Sequence, residues 1–318
     1  MSRVRALADI ILSNPQYVRL NSGRAREVAE ALKDYDISIP RWDFDPRFHP
    51  QVDDFENVCL FNLFLNAVNY CYFDEDGKKF QDGDLSGCSL ICARLTEHWE
   101  EIKDPYFLSQ VDENYLLCEL FRAERPISMV RQRTNALREV GAFLNQNQDF
   151  TFAKLFQKYK RNAYFVSQYL PVMLPSWRDP FFKRSQLFVG MTYGRFQDWT
   201  ECPIDDESLS DLTIFSDYRV PQTLIALGVI EPRSQLMTRL HRKEFLASGS
   251  QKELELRAAS IIGADMITKN LKSLVDESVN SLNTDFLLWS AATRGAEMPA
   301  GLFTHEWLNH HYTMTTDY

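Results

Sequence analysis

The chain reads as a mainly α protein, a single helical domain over residues 1–318 with minor β. Three observations predict this. Of the 318 residues, 45% are hydrophobic, enough to bury a large core. Apolar residues recur at helical spacing in stretch after stretch. No repeat, low-complexity tract or Gly/Ser linker divides the chain. Taken in order, residues 24–32 follow Asn21 and Ser22, which suit a helix N-cap. Residues 115–121, 136–144 and 152–169 continue with the same period. Residues 253–275 form the longest candidate, with Leu254, Ala258, Ile261 and Ile262 on one face, extended by Leu271, Leu274 and Val275. Short strand-like stretches lie at 79–80, at 212–215 and in the C-terminal tail.

Charge and cysteine usage narrow the function classes. The charged fraction is 25% and the formal net charge is −9. A protein that grips a polynucleotide usually carries a basic stripe, because each neutralised phosphate releases counterions. No such stripe dominates here, so a DNA or RNA polymer is not expected, while a small anionic ligand is. The 6 cysteines form no C-x-x-C pair and no zinc pattern. They read as isolated core thiols of a reducing, cytoplasmic setting. The longest uncharged run, residues 57–73, is marginal in length for a membrane span and carries Asn57, Asn62, Asn66 and Asn69, so no membrane association is expected. G-x-G-x-x-G, Walker A, G-x-S-x-G and H-E-x-x-H patterns are absent. Nucleotide-cofactor dehydrogenases, P-loop NTPases and zinc proteases lose their support, and neither metal nor cofactor is expected.

Several clusters carry candidate chemistry. Asn62, Asn66 and Asn69 are spaced to share one helix face, with Tyr70 and Phe73 extending that side. A buried amide offers a donor and an acceptor, which suits the edge of a purine-like base, and Tyr70 or Phe73 can stack on its face. The same asparagines equally suit tying neighbouring loops together. In the run from Phe215 to Gln222, Asp217, Tyr218 and Arg219 stand between an apolar stretch and Pro221, a residue favoured in a first helical turn. Asp217 fits a helix cap with Arg219 as its solvent-side partner. It also fits glycosidic chemistry, in which a carboxylate stabilises positive charge building on a ribose. Asp265 lies beside Ile261 and Ile262 and needs a partner such as an arginine elsewhere. Lys183 and Arg184 suit a phosphate or plain solvation. In an extended tail His311, Thr313 and Thr315 face one way, as donors around an anion or as an ordinary terminal strand.

Together these segments resemble the queuosine salvage family, the queuosine 5′-phosphate N-glycosylases. Asp217-Tyr218-Arg219-Val220-Pro221-Gln222 resembles the family signature, and Glu255-Leu256-Arg257-Ala258 its E-[IL]-R-[AG] segment, with Asp265 at a position usually acidic. Asp285 with Leu288-Trp289 resembles a D-x-x-L-W element, and His310-His311-x-Thr313-x-Thr315 the H-H-x-T-x-T ending. Asn69-Tyr70-Cys71-Tyr72-Phe73 is similar to the family's N-F-x-F-W run. The likeness runs from about Pro15 to Tyr318. It implies a helical fold related to helix-hairpin-helix DNA glycosylases, and metal-free hydrolysis of queuosine 5′-monophosphate to queuine and ribose 5-phosphate. It also implies that Asp217 is the catalytic carboxylate. The implied substrate contacts are Asn66, Asn69, Tyr70, Phe73, Lys183, Tyr218, Arg219, His311, Thr313 and Thr315. The chain departs from the pattern at Asn66 and Met191, where acids are expected, and at Tyr312 and Met314, where arginines are expected. An acid-to-amide change removes a charge that suits queuine's amine.

Overall fold

Helix after helix starts on a side-chain cap: Ser2 accepts from Arg5 N, Asn21 from Arg24 N, Asp54 from Asn57 N and Ser250 from Glu253 N. The structure, a computed structural model, describes residues 2–42, 45–293, 298–299 and 301–318. The chain forms two units, Met1–Pro40 with Asp206–Thr313, and Arg41–Asp205 with Met314–Tyr318. It is mainly α with small two-stranded sheets, as the sequence predicts.

The first unit opens with α1 (Arg3–Ile11), β1 (Val18–Leu20) and α2 (Ser22–Leu32). The second unit then carries α3 (Phe55–Val68), a hairpin of β2 (Gln81–Asp82) and β3 (Leu85–Ser86), α4 (Gly87–Glu97), α5 (Trp99–Ile102), α6 (Pro105–Gln110) and α7 (Glu113–Tyr115). It continues with α8 (Val130–Gln146), α9 (Phe152–Lys158), α10 (Ala163–Met173) and α11 (Lys183–Phe196). The first unit resumes with α12 (Arg219–Ala226), β4 (Ile230–Pro232), α13 (Ser234–His241), α14 (Gln251–Leu274) and α15 (Ser281–Thr293).

In the first unit α14 is the axis. Helices α1 and α2 pack along it, α12 and α15 pack on it and on each other, and β1 pairs antiparallel with β4. Asp265 on α14 finds its arginine in Arg5, whose Nε donates at 2.7 Å. Glu255 accepts from Gln16 N at 2.9 Å and Tyr17 N at 2.6 Å, which ties the start of β1 to the same helix. In the second unit α3 is central, packed by α4, α8, α9 and α11. Apolar residues on all its sides suit a buried helix.

Several predicted elements are corrected. The helix predicted to carry all three asparagines ends at Val68. Asn69 is its C-cap at φ −86°, ψ 70°, off the face of Asn62 and Asn66. The period across 152–169 is broken in two, because Lys160 and Arg161 adopt left-handed backbone (φ 53° and 60°) and Asn162 caps α10 anew. Residues 115–121 form the end of α7 and one π turn, Leu116–Leu120. Residues 212–215 join no ladder, since side chains meet part of their backbone. Residues 79–80 hold an isolated bridge, Lys79 to Phe73, and the tail holds only Tyr312 to Phe245.

Candidate functional site

The first unit presents Asp217 at a turn held from both sides. Upstream, Phe215 N donates to Asp285 Oδ1 at 2.7 Å, and Arg257 Nε donates to Ser216 O at 3.1 Å. Ser216 Oγ donates to Arg257 O at 3.1 Å and lies 2.9 Å from Ser260 Oγ. Downstream, Asp217 Oδ1 accepts from Arg219 N at 2.7 Å and Val220 N at 3.1 Å. The carboxylate thus faces the start of α12, where free N–H groups and the helix dipole favour negative charge. The guanidinium of Arg219 lies 5.4 Å from the Tyr218 ring and donates to Gln222 Oε1 at 3.0 Å.

Tyr218 begins an aromatic column: His310 at 4.4 Å between ring centroids, then Tyr312 at 4.5 Å and Phe245 at 5.5 Å. His310 Nδ1 bonds His311 O at 2.8 Å. The column therefore connects the Asp217 turn to His311. Burial pushes the His311 pKa down to about 3, with His310 and Arg257 adding to it, so the ring is neutral at pH 7. A neutral imidazole still donates one N–H. Thr313 Oγ1 is buried without a hydrogen-bond partner among the described residues, which leaves a hydroxyl to offer.

In the second unit Asn66, Asn69, Tyr70 and Lys183 gather at the C-terminal end of α3. Its last carbonyls attract cations. Arg184 NH1 lies 3.4 Å from Asn66 O and 3.3 Å from Ala67 O, and Lys183 Nζ lies 3.4 Å from Asn69 O. Arg133 donates to Val68 O, and to Tyr70 O and Cys71 O at 2.6 and 2.7 Å. Arg133 also covers the Tyr70 ring at 4.3 Å, with Arg184 5.2 Å from the same centroid. Burial raises the Tyr70 pKa, and its hydroxyl has no partner among the described residues. Phe73 is buried in the bridge to Lys79, and Thr315 Oγ1 accepts from Asp317 N at 3.2 Å.

Asn66 is fully buried. Its Nδ2 donates to Asn62 O at 2.9 Å and touches Met191 Sδ at 3.5 Å, while Oδ1 has no partner among the described residues. The two positions that depart from the expected acids are therefore neighbours. Beside them opens a cavity of about 180 Å³, lined by His49, Phe61, Asn62, Met191 and Arg195 among others. Arg195 pairs with Asp53 at its edge at 2.8 Å.

The positions of Arg133 and the cavity were not anticipated from sequence. Arg133 lies just ahead of the helical stretch at 136–144. Its spacing to Ala136, Leu137 and Val140, which places it on the buried stripe, was the available signal. Nothing in the sequence links His49 to Met191. Among the described residues no group of three His, Cys, Asp or Glu side chains is placed to hold a metal ion, and no helix is long and apolar enough to cross a membrane.

Comparison with known proteins adds a family match. A family model described as "Queuosine salvage protein" matches residues 48–318. A protein of Sphaerobacter thermophilus named queuosine 5′-phosphate N-glycosylase/hydrolase is 28% identical, covering 97% of this chain and 95% of its own length. Proteins of the same name from Bos taurus and Mus musculus are 25% and 28% identical, each covering 95% of this chain and 96% of their own length.

Proposed function

The chain belongs to the queuosine salvage protein family, and from that premise we propose that it hydrolyses the N-glycosidic bond of queuosine 5′-monophosphate, releasing queuine for tRNA modification. The observation that carries this reading is the match itself, which takes in the Asp217 turn and residues of both units. We therefore treat residues 1–318 as one functional domain. Its ligand is a small nucleotide, not a nucleic-acid polymer, and its setting is cytoplasmic, away from membranes.

In the proposed reaction the C1′–N bond breaks with its electrons leaving on the base, which takes up a proton. Water supplies the new C1′–O bond and gives up a proton. Positive charge builds on the ribose in between. The Asp217 carboxylate is assigned to stabilise it. Tyr218 and Arg219 flank that carboxylate as substrate contacts. His311 and Thr313 are assigned as hydrogen-bond donors to the 5′-phosphate. We carry Asn66, Asn69, Phe73, Lys183 and Thr315 as nucleotide contacts on the family resemblance. Arg133 already covers a face of Tyr70, so Tyr70 is assigned a contact through its hydroxyl instead of ring stacking.

Incubation with queuosine 5′-monophosphate, following free queuine by chromatography, tests the proposal. Asp217→Asn keeps the Oδ1 acceptor for Arg219 N and Val220 N, so the fold should survive while turnover falls on the order of 10³-fold or more. Wild-type rates in that variant would sink the assignment of Asp217.

One observation favours a second reading, a hydrolase for another purine or deazapurine nucleotide. Asn66 and Met191 touch and replace two expected acids, so neither position offers a carboxylate to queuine's amine. A panel of purine and deazapurine 5′-monophosphates separates the readings. Faster release of a base without the amine selects the second.

A further inference from the structure

We infer that Asp285 and Arg257 are positioning residues for Asp217, clamping the two peptide units that lead into it; the inference rests on Asp217 being the catalytic carboxylate. Residues 212–216 are buried, yet they belong to no sheet. Buried backbone N–H and C=O groups must find partners, and in most proteins a ladder supplies them. Here charged side chains from two different helices do so. Asp285 of α15 takes the N–H of Phe215, and Arg257 of α14 takes the C=O of Ser216. Ser216 Oγ returns a bond to Arg257 O. Arg257 is completely buried and braced by Glu253 Oε1 at 3.6 Å, and Asp285 is 6% exposed.

Buried charges are an expensive way to satisfy backbone groups, since desolvation offsets much of their attraction. What they add is strength and direction: charge-assisted hydrogen bonds are shorter and about twice as strong as neutral ones. The two bonds fall on the residues immediately before Asp217, and the first N–H groups of α12 donate to its carboxylate from the residues after it. The carboxylate is thereby fixed from both sides by α12, α14 and α15, which also pack on one another. A shift of about 1 Å in a catalytic group costs on the order of 100-fold in rate. Loss of either clamp should therefore appear in kcat with little change in KM.

The test compares wild type with Asp285→Ala, Asp285→Asn, Arg257→Lys and Asp217→Asn, measuring kcat and KM on queuosine 5′-monophosphate and a thermal melt for each. Asp285→Ala should melt cooperatively and lose about 100-fold in kcat, with KM within about threefold. Asp285→Asn keeps an accepting oxygen and should recover most of that loss. Lysine has one nitrogen where arginine has a fork, so Arg257→Lys should lose about tenfold or more in kcat. A purely structural role would lower the melting temperature without this split or this rescue. The inference is overturned if folded Asp285→Ala or Arg257→Lys turns over at the wild-type rate, or if Asp285→Asn is as slow as Asp285→Ala. Should Asp285→Ala fail to fold, the asparagine and lysine variants still decide the matter. An active Asp217→Asn would remove the assignment of Asp217 and the clamp's role with it. An inactive Asp217→Asn beside fully active clamp variants would remove only the clamp.

Discussion

His311 ordinarily would titrate near pH 6.5, but burial, aided by His310 and Arg257, pushes its folded-state pKa down to about 3. Between those two values the unfolded chain binds a proton that the folded chain refuses. Stability is therefore complete above about pH 6.5 and falls as pH drops toward 3, by roughly 1.4 kcal/mol per pH unit. Urea unfolding at pH 7.5 and 5.5 measures it. The wild type should lose about 1.4 kcal/mol more than His311→Asn over that interval, and equal losses would contradict a neutral buried ring. At this scale the sequence was informative about residue type and silent about neighbours. Asp217 was legible as a carboxylate in a turn with two possible roles, and it does cap α12. That Tyr70 lies under a guanidinium, or that Asn66 meets Met191, depends on residues 63 and 125 positions away. No local pattern encodes such pairs.

Elements follow local rules until a neighbour intrudes. Gly141 lies inside α8, where alanine would normally gain about 1 kcal/mol in helix propensity. A Cβ at that position would stand 2.4 Å from Ser109 N and 2.7 Å from the Leu108 carbonyl carbon, on the backbone of α6. Backbone cannot swing aside as a side chain can. Gly141→Ala is therefore expected to destabilise by about 1–3 kcal/mol, read as a lower urea midpoint. A more stable variant would show that α6 gives way. The long helix α14 was readable because its period persists. The break between α9 and α10 was not, because apolar spacing continues through Lys160 and Arg161 while their backbone turns left-handed. Residues 212–215 have strand-like composition, but composition does not reveal whether a partner strand will be there.

For the whole chain, a net charge of −9 bears on partners more than on fold. The proposed ligand is a single nucleotide, so duplex DNA should show no salt-sensitive binding by fluorescence anisotropy. Affinity that drops steeply with added salt would instead support a polymer substrate. The sequence by itself determined the helical class, the cap of α2, the family resemblance and the candidate carboxylate. All of these reside in composition, in periods of a few residues, or in short ordered motifs. The tertiary structure alone decided which charged side chains hold the Asp217 turn, which cations close the end of α3, and which distant residues line the cavity. The physical reason is range: caps and periodicity act over one or two helical turns, whereas Asp285 meets Phe215 across 70 residues, and only the packed helices bring them together.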